Sequence, residues 1–460
     1  MRPLRRFSAV VLVLLIAWLA VQWLQLLPRV TDEQRRQIAA LSYTPGNVDD
    51  PGNAYAALWT IQYAVDTTEA LSVARTDVAQ VMREHTQGRA ITLSGARVAG
   101  QEPEKLDDAE KASLCGDRKV GCLGFVREHR DAARQTLQAH SAYLARIAAL
   151  ATYTSWRNPM PAAVDAPLPL VPAGEIRRLA LSAAALDFVE GRHAEGLDAV
   201  CRFAATWRRL RDDTDALIVD MLGTAFVAAS ARLFADMLAE LPTTAEMPAA
   251  CGAAFTPLQD AELEQCDEIR AEFAMMSDAV LDAERGVYSD TPAWGERIAR
   301  RFMNRQHVIA HMAPSYFQWC DVRHQQRLRE RRPATAGVPA GCSLGEKVFN
   351  PVGCVIIGIA PPDFSRYYGR VLDLDALLRA TSTLLWLRRQ PGDAASRLHE
   401  RPAELRDTTG TLKWRDSYLE VTMATLLEGD EVVRLPMPGS RLAAAVPSAV
   451  APEPVSRPVH

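Results

Sequence analysis

The chain has 460 residues, a formal charge of −4 and a pI of about 6.2, with 48% hydrophobic and 23% charged residues. That balance is ordinary for folded protein and excludes a disordered chain, and the length allows roughly two or three domains with full cores. Basic residues are interleaved with acids, as in Glu128-His129-Arg130-Asp131, so there is no basic face and nucleic acid is not an expected partner.

Phe7 to Leu27 is apolar except at Ser8, Gln22 and Gln25. As a helix rising about 1.5 Å per residue it reaches roughly 30 Å, enough to cross the hydrocarbon core of a bilayer. A cleaved signal would end in a small-x-small site, whereas this run ends in Trp23-Leu24-Gln25-Leu26-Leu27-Pro28. The expectation is therefore an uncleaved single-pass anchor over residues 1–30, in preference to a signal peptide or a buried core helix. Arg2, Arg5 and Arg6 favour a cytoplasmic N-terminus and a periplasmic body, although Arg29, Arg35 and Arg36 follow the span. Eight cysteines without a Cys-x-x-Cys pair agree with disulfides in an oxidising compartment.

Residues 31–157 read as a first helical subdomain. Thr31 and Gln34 form a capping box at the start of a short helix to Ser42. Pro45-Gly46 and Pro51-Gly52 then break the chain. Asn53 to Val65 carries an aromatic stripe of Tyr55, Leu58, Trp59 and Tyr63, which suits core packing better than a ligand cage. A helix over Val73 to His85 follows, then a small strand at Ala90-Ile91-Thr92-Leu93. Val126 to Tyr153 reads as one long amphipathic helix. Gly116, Asp117 and Gly121 favour a turn between Cys115 and Cys122, and these two cysteines are expected to pair, with buried free thiols as the alternative.

Residues 158–174 hold Pro159, Pro161, Pro167, Pro169 and Pro172, a density that marks a linker between subdomains. The helical core subdomain, 175–335, opens with Ile176, Leu179, Ala183, Leu186 and Val189 on one face. Gly191-Arg192-His193 makes the turn, and Leu197, Val200, Cys201, Ala204 and Trp207 form the answering face. One tetratricopeptide-type hairpin would look this way, but no second copy recurs, so an ordinary antiparallel pair is preferred. Further helices are expected over Asp213 to Leu241, Pro257 to Arg285, and Trp294 to Met312, the last stopped by Pro314.

Residues 336–435 read as an α+β subdomain. Asn350-Pro351-Val352-Gly353 looks like a turn, Cys354 to Ile359 a short apolar run, and Ser365 to Arg389 a helix. Strands are expected at Thr411 to Trp414, Tyr418 to Met423 and Glu431 to Leu435, with a turn at Gly429-Asp430. Residues 436–460, rich in Pro, Ala and Ser, read as a disordered tail. The expected fold class is mainly α, with a small antiparallel β element near the C-terminus.

Four groups recur together in this order: Asn53-Ala54-Tyr55 with Leu58-Trp59, Cys115 with Cys122-Leu123, Trp207-Arg208 with Leu217-Ile218 and Met221, and Asn350-Pro351-Val352-Gly353 with Arg370-Val371-Leu372-Asp373. The set resembles an uncharacterised family of inner-membrane-anchored envelope proteins of proteobacteria. The resemblance implies a cell-envelope location and a helical fold, and brings no known activity or catalytic residues.

Three clusters are candidates for chemistry. His307 and His311, spaced i, i+4, could share one metal from adjacent turns. Placing Ile298, Phe302 and Ile309 on the core stripe turns both histidines to solvent, so no metal is favoured. Asp260, Glu262, Glu264, Asp267, Glu268 and Glu272 could supply an acid–base pair, but read more simply as a solvated face. Arg366, Arg370 and Asp373 share a helix face that could hold an anion, or form an ion-pair row. No nucleophile elbow, phosphate loop, dinucleotide fingerprint or haem motif occurs, and no cofactor is expected. The expectation is a tethered scaffold with a protein partner in the envelope; the alternative is an envelope hydrolase with an unrecognised site.

Overall fold

The computed structural model describes residues 11–17, 30–116, 121–168, 173–285, 303–333, 341–359, 363–391, 394–406, 412–423, 425 and 432–441. Of the apolar run Phe7 to Leu27, residues 11–17 are helical with exposed side chains, and the rest lies outside the described residues.

Thr31 opens helix α1 (Asp32–Ala40) by the expected capping box with Gln34. Past the Pro-Gly breaks come α2 (Tyr55–Trp59) and α3 (Thr67–Thr86), joined where Trp59 Nε1 donates to the buried Asp77 at 2.8 Å. Asn53 holds this end together. Its Nδ2 donates to the carbonyls of Asn47 and Arg157, and its Oδ1 accepts from the Tyr55 and Arg157 amides. Residues 90–93 form no strand: the Ile91 and Thr92 amides donate to the Asp165 and Glu84 side chains instead of to a neighbouring strand.

After α4 (Asp108–Ser113), the long helix expected over Val126 to Tyr153 is three: α5 (Cys122–Glu128), α6 (Arg130–Ala139) and α7 (Ser141–Ala149). The second break, at His140, points its buried imidazole between Glu104 and Glu110, at 2.7 and 3.0 Å. Through the Pro-rich segment the described chain stays non-helical up to 168, yet Met160 belongs to the same hydrophobic core as residues from Leu41 to Met437.

Helices α8 (Ala173–Val189), α9 (His193–Asp212) and α10 (Leu217–Ala239) form the centre. Gly191 makes the α8–α9 turn at φ +87°, a conformation that favours glycine. A Cβ at Gly196 would lie 2.7 Å from the Ala184 carbonyl oxygen, and one at Gly223 2.6 Å from Arg211 Cβ, so both glycines permit close helix crossings. Trp207 is 2% exposed among Phe203 and Phe226. Among the described residues α10 is the helix long and apolar enough to cross a membrane, but 67% of its apolar window is buried, as fits the central helix of the body.

Next come α11 (Ala249–Ala254), α12 (Cys266–Arg285) and α13 (Arg305–Phe317). Residues 286–302 lie outside the described set, and so does the expected start of a helix at Trp294. Pro314 does not stop α13, which runs through it to Phe317. One backbone hydrogen bond is lost, but Val308, Met312, Ala313 and Tyr316 are buried on both sides of the proline and outweigh that loss. Beyond α14 (Val322–Arg329) and α15 (Leu344–Phe349), the expected turn at Asn350-Pro351-Val352-Gly353 is instead the start of α16 (Pro351–Ile359). Pro351 takes the first helical position, where its missing N–H removes no bond.

Helix α17 (Ser365–Leu387) packs beside α10, and α18 (Ala394–Arg397) follows. Strands β1 (Leu412–Arg415), β2 (Tyr418–Thr422) and β3 (Val432–Pro436) form an antiparallel sheet in that order, with Trp414 opposite Leu419 and Val421 opposite Val433. Leu419, Val421, Val433 and Leu435 are buried, with β2 against α17 and β3 against α10. The expected turn at Gly429-Asp430 lies outside the described residues. The tail begins later than its composition suggests. Pro436 pairs with Tyr418, Met437 is buried and Arg441 reaches Asp236 at 2.7 Å, while 442–460 lie outside the described residues.

All eight cysteines are paired: Cys115–Cys122, Cys201–Cys251, Cys266–Cys320 and Cys342–Cys354. The first ties the segment after α4 to the start of α5, and the second ties α9 to α11.

Candidate functional site

The two histidines of α13 do not face solvent. His307 is 5% exposed, and both imidazoles converge on Glu346 of α15. His311 Nε2 lies 2.6 Å from Glu346 Oε1 in a hydrogen bond. His307 Nε2 lies 3.0 Å from the same oxygen, out of line for a hydrogen bond. The helical-wheel expectation fails because α13 is packed against α1, α12 and α16 and so has no single core face.

Glu346 is fixed from behind. Its carboxylate accepts from the Ser343 amide at 2.6 Å, and the Ser343 hydroxyl caps the Glu346 amide. Burial opposes its charge, but the Ser343 hydrogen bonds and the His311 imidazole outweigh that and hold the carboxyl at about 2. Burial, then the neighbouring His311, lowers the His307 pKa and keeps a lone pair on the ring. Asn304 caps α13 through the His307 amide, and its own amide donates to the fully buried Asn350. Sequence reading missed Glu346. The signal that could have found it is the Ser343-x-x-Glu346 capping box beside two cysteines.

The carboxylate run is not a solvated face. Glu262 forms a two-pronged pair with Arg208 at 2.5 and 2.6 Å, and Asp267 pairs with Arg157 at 2.7 Å. Glu268 is 4% exposed, and burial together with the nearby Asp220 raises its pKa well above the usual carboxylate range. Asp260 and Glu264 reach Arg331 and Arg329 at the surface, and Glu272 is part-buried. These acids spread over several arginines and do not face one another across a cleft.

Arg366, Arg370 and Asp373 do not converge either. Arg366 is exposed, the Arg370 guanidinium lies over the Tyr367 ring, and Asp373 accepts from the Thr425 amide and hydroxyl.

A further concavity of about 420 Å³ lies between α7, α8 and α9. Leu144, Ile147, Ala180, Ala183, Ala199 and Phe203 make it apolar, and Glu195, Asp198 and Arg202 stand among its lining residues. Asp198 and Arg202 pair with each other at 2.6 Å, which leaves Glu195 as the uncompensated charge among those three.

The chain matches no family model, no curated protein and no solved structure. What it does rests on its own residues.

Proposed function

We propose that this protein is tethered to the inner membrane by Phe7 to Leu27, with its helical body in the periplasm, where it binds a protein partner of the envelope. The family it resembles implies the same location. The observation that carries the binding role is the groove between α7, α8 and α9, whose small alanine walls leave an apolar trough on an otherwise packed helix face. An apolar helical segment carrying a basic residue opposite Glu195 fits that chemistry. Four disulfides that use every cysteine support an oxidising compartment.

The test places a photo-crosslinking amino acid at Ala183 or Ala199 in growing cells. The expected result is a single adduct from both positions, none from the exposed Met82 of α3, and its loss in Ala180→Arg, which fills the trough. No adduct from the groove, or equal adducts from Met82, would sink the interaction role. Intact mass of the membrane-extracted chain should retain residues 7–27.

An envelope hydrolase is the second reading. The convergence of two imidazoles and a carboxylate favours it, because such a set can activate water.

A further inference from the structure

His307, His311 and Glu346 present three lone-pair atoms, His307 Nε2, His311 Nε2 and a Glu346 carboxylate oxygen, all within 4.8 Å of one another. Two come from adjacent turns of α13 and one from α15, so the group is assembled by tertiary packing. We propose that these three side chains hold one divalent transition-metal ion of the zinc class, with a fourth position open to water. The proposal does not depend on the apolar groove.

Geometry supports it. A tetrahedral zinc site with bonds of about 2.0–2.1 Å sets its ligand atoms about 3.3 Å apart. The Nε2–Oε1 separations of 2.6 and 3.0 Å lie within about 0.7 Å of that spacing, and all three donor atoms fall within 4.8 Å of one another. Hydrogen bonding alone does not satisfy the group. Only His311 is aligned on Glu346, and the buried His307 Nε2 is left without a hydrogen-bond partner. A buried ring nitrogen in that state carries a desolvation penalty that a metal bond would remove.

The donors choose the ion. Two imidazoles and one carboxylate suit zinc, cobalt or nickel and disfavour calcium and magnesium, which take oxygen shells. Three protein ligands leave zinc one coordination position short of closed. The His311 side chain is 18% exposed, which gives that position a path to solvent. Support behind the ligands is also present. Ser343 orients the carboxylate, Asn304 caps the histidine helix, and the Cys342–Cys354 bridge closes the short loop that carries Glu346.

The experiment uses the full chain, purified in detergent with its disulfides intact and stripped with a chelator. Zinc chloride or cobalt chloride is then added. Metal analysis after gel filtration should find about one equivalent per chain, and cobalt should give the intense visible absorption of a four-coordinate site. Competition with a chromophoric chelator should show at least about a 100-fold loss of affinity in Glu346→Gln and in His311→Asn, with circular dichroism unchanged. The exposed His399→Asn should bind as the parent does. A readout free of variants is carbethoxylation of the wild-type chain: zinc should protect His311 and leave His399 reactive. Absence of stoichiometric binding by the parent, or undiminished binding in both ligand variants, overturns the proposal, as does a His311 that zinc fails to protect.

Discussion

Arg211 and Asp220 meet at 2.7 Å between α9 and α10, and each side chain is only 1% exposed. Gln265 donates to the other Asp220 oxygen, and Arg211 also donates to the Glu262 carbonyl at 3.2 Å. Two full charges thus sit inside the core, held by each other and by a few polar contacts. Removing one partner strands the other in low dielectric. Asp220→Asn and Arg211→Met should each destabilise by about 3–5 kcal/mol, and the double replacement by less than their sum. Urea unfolding of the four species measures the coupling. Additive losses would mean that the pair is solvated in the native state.

Trp207 lies edge-on to Phe226, ring centres 4.6 Å apart at 86°. Trp207→Ala should cost about 3–5 kcal/mol, the range for emptying a large aromatic site in a core. A loss below about 1 kcal/mol in thermal or urea unfolding would place the indole at the surface, where such truncations change little.

The disulfides should differ in weight. Cys201–Cys251 closes a separation of 50 residues and Cys115–Cys122 one of 7. Loop-closure entropy then assigns about 4 kcal/mol to the first and about 2–3 kcal/mol to the second. Paired Cys→Ala replacements in unfolding experiments test the order. Alkylation of freshly extracted protein without a reductant should label no cysteine, and labelling would remove the support for an oxidising compartment.

Asp215 gives a pH signature. Burial raises its pKa from 3.8 to about 6, opposed by hydrogen bonds from the Asn158 amide and the Tyr43 hydroxyl. The folded state therefore binds a proton more tightly than the unfolded state. This contribution is complete below about pH 4 and is lost as pH rises through about 6. Asp215→Asn mimics the neutral acid and should lack it. From pH 8 to pH 5 the parent should gain about 1–2 kcal/mol relative to the variant. A difference that stays flat over that range would place Asp215 in a solvated setting.

How much was legible follows from where the information lies. Helix α9 was readable because Leu197, Val200, Cys201, Ala204 and Trp207 bury one stripe, which local periodicity reports well, and α10, buried on most sides, was readable as an apolar run of helical length. Strands at 412–436 were readable because alternation such as Leu419, Val421 in one strand and Val433, Leu435 in another reports a one-sided sheet. Helix α13 was misread because it is buried on several sides, so a wheel drawn from Ile309 could not tell which faces were covered. Glu262 and Glu268 were read as surface because their partners, Arg208 and the Arg211–Asp220 pair, lie some fifty residues away in sequence. Only the folded chain brings such charges together. For the same reason the grouping of Glu346 with His307 and His311 could not be read from spacing. Phe7 to Leu27 is read as an anchor from its composition alone, and of that run only residues 11–17 are described.

Each of the four bridges joins one cysteine to the very next one along the chain. A polypeptide threaded N-terminus first into an oxidising space would present every cysteine with its own mate before the following pair emerged. Oxidation in order of arrival then yields the native set directly, and no bridge must be opened to let another form. Under such delivery, formation of the native set calls for an oxidant but not for a disulfide isomerase, provided each pair oxidises before the next one arrives.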